Sequence, residues 1–422
     1  MDKIIIEGGS VLKGEVIISG AKNSVLPILA ATLLTDSGCI IKGVPDLRDS
    51  RTMFRILRSL GKNVEFEQGV ATVTSSGHTN FVADYKLVST MRASFCVLGP
   101  LLGKLKKAKV SLPGGCVIGV RPVDLHLKGL HALNAQINIE SGYVLAKTKT
   151  SRLKGNYVYL GGVYGSSVLA TDNVMMAATL ADGKTIIESA ACEPEVVDLA
   201  EFLIKMGAKI KGHGTPMIEI EGVKRLHGAE HRVIPDRIEA GTFIIASLIT
   251  RGDVLIKNVF PKHLGALTDK LEEAGASLTK TDSSIHVHSR RRLKPINITT
   301  LPYPGFPTDM QAQMMSLMSI TEGISVITER VYPDRFMHVA ELNRMGANIQ
   351  REGPHAIVSG VKYLSGARVM ASDLRASASL LLAGLVARGN TSISRIYHLE
   401  RGYENIEEKF QKLGAKIWRE KE

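Results

Sequence analysis

One pattern recurs six times in this chain of 422 residues. It reads apolar residue, glycine, two further positions, apolar residue. The copies are Leu60-Gly-Lys-Asn-Val64, Leu133-Asn-Ala-Gln-Ile137, Met206-Gly-Ala-Lys-Ile210, Ala274-Gly-Ala-Ser-Leu278, Met345-Gly-Ala-Asn-Ile349 and Leu413-Gly-Ala-Lys-Ile417. Their second positions are 61, 134, 207, 275, 346 and 414, so neighbouring copies stand 68 to 73 residues apart. Glycine at that place is the left-handed stop after a helix, with a strand to follow. A fixed period of this kind means one supersecondary unit used repeatedly. Any fold for this chain must therefore hold six equivalent units.

Each unit carries a second, more apolar helix upstream. These segments start at Asn23, Thr171, Asp236, Thr308 and Asp373, and each runs into a short strand such as Lys184-Thr-Ile-Ile-Glu188. They are apolar nearly all round, which predicts burial. The helix before each stop is amphipathic, as in Glu195-Val-Val-Asp-Leu-Ala-Glu-Phe-Leu-Ile204. Each unit thus reads as two helices, one buried and one on a sheet, with about four strands. The five starting residues are of N-cap type or close to it. Lys22, Arg92, Asp309 and Arg375 crowd the same starts. If the buried helices run parallel, their N-termini and these cations form an anion site, which points to a phosphorylated ligand.

Composition is that of a globular chain, 44% apolar and 22% charged. No apolar run is long enough for a membrane span, and MDKIIIEGG at the start has no signal-peptide pattern. Cys39, Cys96, Cys116 and Cys192 are widely spaced and form no CxxC pair. No zinc site, other metal or cofactor is expected, and a reducing cytoplasm fits. Net charge is +12, which suits a solvated surface, an anionic substrate or nucleic acid. Aromatic residues are only 5%, and the runs Lys104-Leu-Lys-Lys107 and Arg290-Arg-Arg292 lack interleaved aromatics. Base stacking on single strands is therefore poorly supported.

One loop stands apart. Ser111-Leu-Pro-Gly-Gly-Cys116 leads through Gly119 to Arg121-Pro-Val-Asp-Leu-His126. Its glycines make a flap, and Pro122 suits the first position of a helix. Cys116 sits five residues from Arg121, and a nearby cation favours the thiolate. The same residues are also compatible with a surface loop and an incidental thiol.

The chain resembles the UDP-N-acetylglucosamine 1-carboxyvinyltransferase family of enolpyruvyl transferases. The resemblance covers essentially the whole length. It runs through Gly20-Ala-Lys-Asn-Ser-Val-Leu-Pro27, Met91-Arg-Ala-Ser94, Pro113-Gly-Gly-Cys116, Arg121-Pro-Val-Asp-Leu-His126, Tyr303-Pro-Gly-Phe-Pro-Thr-Asp-Met-Gln-Ala-Gln313, Arg335-Phe-Met-His338, Ser372-Asp-Leu-Arg-Ala-Ser377 and Arg401-Gly-Tyr403. It implies a two-domain inside-out α/β barrel, three repeats per domain, with the active site in the cleft between them. The first domain would span 22–232, and the second 1–21 with 233–422.

The implied activity transfers the enolpyruvyl group of phosphoenolpyruvate to the 3-hydroxyl of UDP-N-acetylglucosamine and releases phosphate. That reaction is the first committed step of peptidoglycan synthesis. Lys22, Arg121 and Arg401 match phosphate-side cations, and Arg335 and Arg375 carboxylate-side ones; an arginine fork grips either anion bidentately. Asp309 matches the residue that takes the 3-hydroxyl proton, and it could equally cap a helix. Cys116 matches the flap cysteine that protonates the enol carbon and that phosphonate epoxides of the fosfomycin kind attack. Asn23, Arg92, Arg121, Pro122, Val123, Asp124, Leu125, Ser167, Val168 and Val331 match nucleotide-sugar contacts. Asp373 matches a carboxylate working with Arg375, and Asp236 a helix-start residue.

Three positions depart from the family pattern. Ser89 stands where lysine is common, Leu169 where glycine follows Ser-Val, and Cys192 where arginine precedes Glu193-Pro-Glu195. Other readings stay open at this stage. A sister enzyme acts on shikimate 3-phosphate, a degenerate copy would bind nucleotide-sugar or a protein without turnover, and a basic surface could bind nucleic acid.

Overall fold

A computed structural model describes residues 2–114, 123–289 and 291–421. Among them, six four-stranded sheets follow one plan. The repeat beginning at Val82 shows it in full. Strand Val82–Ala83 leads through the 3-10 turn Arg92–Val97 and helix Leu98–Leu105 to strand Lys107–Ser111, its parallel neighbour. Helix Asp124–Ala132 then leads to the hairpin Ala135–Glu140 and Tyr143–Thr148. Across the sheet the strands stand in the order first, second, fourth, third, antiparallel after the first pair. In Tyr143–Thr148 the buried residues are Val144 and Ala146, the alternation of a sheet with one face on the core.

The recurring stop has the geometry the pattern demands. φ is positive at all six positions, from 67° at Asn134 to 99° at Gly207. Glycine reaches that region freely and asparagine at small cost. The amphipathic helix ends there and the chain turns into the hairpin.

The chain forms two compact units, residues 20–114 with 123–234 and residues 2–19 with 235–421. Each contains three of the repeats, and each borrows strands from a distant part of the chain. Glu230–Arg232 supplies the first strand beside Cys39–Lys42 in one unit. In the other, Lys13–Ile17 lies parallel to Asp253–Lys257, and Asp2–Glu7 closes the last sheet between Asn390–Ser394 and Lys416–Lys421. The passages between units fall at 19/20 and 234/235, against 21/22 and 232/233 expected from the sequence.

Each unit has its own core, and the apolar helices form it. Ala170 through Ala178 are buried, as is the whole of Arg237–Ile249. Helices Arg237–Ile249, Gln311–Met318 and Leu374–Val386 pack on one another inside their unit. This is the inside-out arrangement: helices innermost, sheets outside. Each buried Leu or Ile side chain there contributes roughly 1.5–3 kcal/mol. The close packing has residue-level causes. At Gly99 a Cβ would lie 2.2 Å from the carbonyl oxygen of Asn173, so only glycine lets these two helices approach. No helix among the described residues is long and apolar enough to cross a membrane.

Two helix starts match the expected caps and three do not. Asp236 accepts from the N–H of Ile238 (2.8 Å) and Glu239 (3.0 Å), and Asp373 from Arg375 (2.9 Å) and Ala376 (3.2 Å). Asn23 and Thr171 lie inside helices Lys22–Ala31 and Val168–Ala178, whose caps are Ala21 and Ser167. Thr308 opens a 3-10 turn, and its hydroxyl bonds to a glutamate instead of the backbone. The helix expected from Pro122 runs from Asp124; Cys116, Arg121 and Pro122 lie outside the described residues.

Candidate active site

In the unit formed by 2–19 and 235–421, the structure brings Asp309, Arg335 and Arg375 together. Arg335 Nη1 donates to Asp309 Oδ1 and Arg375 Nη2 to Oδ2, both at 2.8 Å. The two arginines are 6% and 2% exposed, whereas a quarter of the Asp309 side chain is open. Burial by itself would raise the Asp309 carboxyl, but Arg375 and Arg335 outweigh it and hold the group well below the usual carboxylate range. Asp309 is thus clamped between guanidinium groups and caps no helix.

Around the clamp lies a buried polar frame. Tyr403 OH is 2.9 Å from Thr242 Oγ1, its ring lies under the Arg375 guanidinium at 5.6 Å, and Gln313 Nε2 donates to the carbonyl of Asp309 at 2.9 Å. Asp373 fixes the start of the helix that carries Arg375. His338 is buried near Arg335 and Asp373; burial lowers it to about 4, so it is neutral at pH 7. Arg401 ends the 3-10 turn Ile396–Arg401, and Val331 follows the strand Ile324–Thr328.

The other unit holds the second group. Lys22 opens its helix, and its Nζ lies 3.0 Å from Asp49 Oδ2, whose side chain is 4% exposed. Arg92 opens the 3-10 turn Arg92–Val97. One buried residue ties Arg92 to the other expected contacts. Asn173 Oδ1 accepts from the N–H of Gly99 (2.7 Å), and its Nδ2 donates to the Phe95 carbonyl (2.9 Å) and faces His126 Nδ1 (2.9 Å). The amide donor assigns the His126 proton to Nε2. Burial, with Arg92 nearby, lowers His126 to about 3. Asn173 therefore fixes the turn behind Arg92, the helix begun by Ser167 and Val168, and the helix that follows Val123 and contains Asp124 and Leu125.

The departures from the family pattern have local readings. Leu169 is the second residue of an ordinary right-handed helix, so its backbone needs no glycine. A Cβ on Gly114 would lie 1.9 Å from the Ser89 carbonyl oxygen; the approach is to backbone, whatever side chain residue 89 bears. Cys192 is half-buried, with Sγ 3.6 Å from the Ala190 carbonyl, and burial followed by Glu193 raises its thiol. Burial raises Cys39 and Cys96 as well.

Three residues absent from the sequence reading emerge here: Asp49, Asn173 and Glu329. A signal existed for two. Asp49 stands on the apolar stripe of its helix with Met53, Ile56 and Leu57, and Glu329, just after the strand Ile324–Thr328, continues its buried alternation from Ser325 and Ile327. A charge on a buried face demands a partner. Asn173 in a buried helix had the same oddity, but its three partners come from distant segments.

Comparison with known proteins follows the same lines. The family model described as EPSP synthase (3-phosphoshikimate 1-carboxyvinyltransferase) matches residues 6–410. The UDP-N-acetylglucosamine 1-carboxyvinyltransferase of Myxococcus xanthus is 54% identical over 424 residues, covering 100% of both chains. The protein of that name from Koribacter versatilis is 54% identical over 423 residues, 99% of this chain and 96% of its own. Among solved structures, the enolpyruvyl transferase NikO from Streptomyces tendae shares the fold with a TM-score of 0.90 at 24% identity, covering 99% of this chain and 98% of its own. Six repeats, two units and the full-length match place the chain in one lineage: it belongs to the EPSP synthase family of enolpyruvyl transferases.

Proposed function

We propose that this chain transfers the enolpyruvyl group of phosphoenolpyruvate to the 3-hydroxyl of UDP-N-acetylglucosamine, releasing phosphate, as the first step of peptidoglycan synthesis. The observation that carries the reading is 54% identity over the full chain to relatives of that name. The Asp309 clamp supports it chemically. Phosphoenolpyruvate brings a carboxylate, and Arg335 and Arg375 are the cations suited to it. When that carboxylate draws them away, Asp309 loses the charges that depress it and becomes basic enough to take a proton. The sugar oxygen then bonds to C2 of phosphoenolpyruvate while its proton passes to Asp309. C3 gains a proton, for which Cys116 is the proposed donor. Cleavage of the C2–O bond to phosphate, with loss of a C3 proton, restores the double bond. Lys22, Arg121 and Arg401 are the proposed phosphate-side cations. Asn23, Arg92, the run Arg121 to Leu125, Ser167, Val168 and Val331 are the proposed nucleotide-sugar contacts.

The family model is described by a 3-phosphoshikimate enzyme, so the acceptor is the point to test. Phosphate release should require phosphoenolpyruvate and UDP-N-acetylglucosamine together. Release with shikimate 3-phosphate and none with the nucleotide-sugar would reverse the assignment.

A further inference from the structure

Glu329 follows the strand Ile324–Thr328 and has no exposed surface. Its carboxylate accepts four hydrogen bonds. Oε1 takes the Thr300 hydroxyl (2.5 Å) and the N–H groups of Val331 and Tyr332 (2.9 Å each). Oε2 takes the Thr308 hydroxyl at 2.9 Å. That last bond has a directional consequence. A hydroxyl has one proton, and Thr308 gives it to Glu329. Its oxygen therefore faces Arg335 as an acceptor, and Arg335 Nη1 donates to it at 3.1 Å. The same Nη1 donates to Asp309 Oδ1 at 2.8 Å. Its two hydrogens are thereby both committed, one to Thr308 and one to Asp309.

We propose that Glu329 is a positioning residue for Asp309, acting through the Thr308 hydroxyl that holds the Arg335 guanidinium in place. The inference rests on the reading of Asp309 as the proton acceptor. The bland alternative is that Glu329 only ties the 329–332 turn to Thr300. The two roles use different oxygens. In Glu329→Gln the amide oxygen can still serve the three Oε1 donors, so the turn survives. The amide nitrogen then faces Thr308 as a donor and turns the hydroxyl proton toward Arg335, which can only donate.

The test is a double-mutant cycle with parent, Glu329→Gln, Thr308→Val and their combination, plus Thr308→Ser as the conservative control. Glu329→Gln and Thr308→Val should each lower kcat roughly ten- to hundredfold, the scale of a small misplacement at a reacting group. KM for UDP-N-acetylglucosamine should stay within about threefold, since Val331 remains held. The double variant should lose no more than the worse single one, and Thr308→Ser should recover most of the Thr308→Val loss. A kinetically silent Thr308→Val in an active parent overturns this inference alone, even if Glu329→Gln does not fold. Multiplying losses overturn it as well. A parent inert with both substrates overturns the functional reading, and this inference with it.

Discussion

Asp309 owes its charge state to two neighbours, and that decides what its removal does. Asp309→Asn leaves Arg335 and Arg375 buried against a neutral amide. Breaking a fully buried pair costs about 3–5 kcal/mol, and the open quarter of Asp309 reduces this to about 1–3 kcal/mol. The variant should melt several degrees lower, yet kcat, measured well below that melting point, should fall by roughly two to four powers of ten. A normally folded variant with near-normal kcat would move the proton acceptor elsewhere, with Asp373 next to examine. The cysteines divide as cleanly. Burial raises the thiols of Cys39, Cys96 and Cys192, which makes each a poor nucleophile. A small phosphonate epoxide should therefore stop turnover by alkylating Cys116, and mass spectrometry should find the adduct there. An adduct on any of the other three, with activity lost, would contradict the assignment.

Among the elements, the helix Val168–Ala178 shows how buried residues behind a site support it. Asn173 offers both amide ends to three segments, and replacing it with alanine strands the Gly99 N–H and His126 Nδ1 inside the core, while the Phe95 carbonyl keeps the Leu98 N–H. Each buried group left unpaired costs about 1–3 kcal/mol, so with two such groups Asn173→Ala should lose roughly 2 kcal/mol or more in denaturant titration. A loss under about 1 kcal/mol would show that water replaces the amide. Much at this scale was legible beforehand. The left-handed stops, the apolar helices and the two side-chain caps at Asp236 and Asp373 follow from local chemistry. The other helix starts were misplaced because nothing local in Asn23 or Thr171 says whether its backbone N–H groups already have partners. Thr308 was misread because its hydroxyl partner, Glu329, lies 21 residues away.

For the molecule as a whole, the six-fold repeat made the architecture readable, and family resemblance assigned residues 1–21 to the second domain, while the pairing of Asp2–Glu7 with Asn390–Ser394 and Lys416–Lys421 was seen only in the structure. Arg335, Arg375 and Asp309 were each named from the sequence as site candidates, but that the two arginines clamp the aspartate was not. Global stability carries a further consequence. His126 and His338 sit near 3 and 4 when folded, and an unfolded chain titrates near 6.5. The unfolded state takes up protons first as pH falls, so each histidine removes up to about 1.4 kcal/mol per pH unit between 6 and 5. Asp172, whose carboxyl is raised by burial and then by Glu193 and Glu195, acts in the opposite sense. The informative quantity is thus a difference: His126→Gln should lose less stability than the parent between pH 6 and 5, and equal losses would contradict the buried neutral histidine. The activity itself is tested most directly by the fate of one carbon. With phosphoenolpyruvate labelled at C2 and UDP-N-acetylglucosamine, carbon NMR should show the label as an enol ether coupled through oxygen to H3 of the sugar, with one phosphate released per ether formed. Label found only in unchanged phosphoenolpyruvate, in pyruvate, or on a different acceptor oxygen would contradict the account.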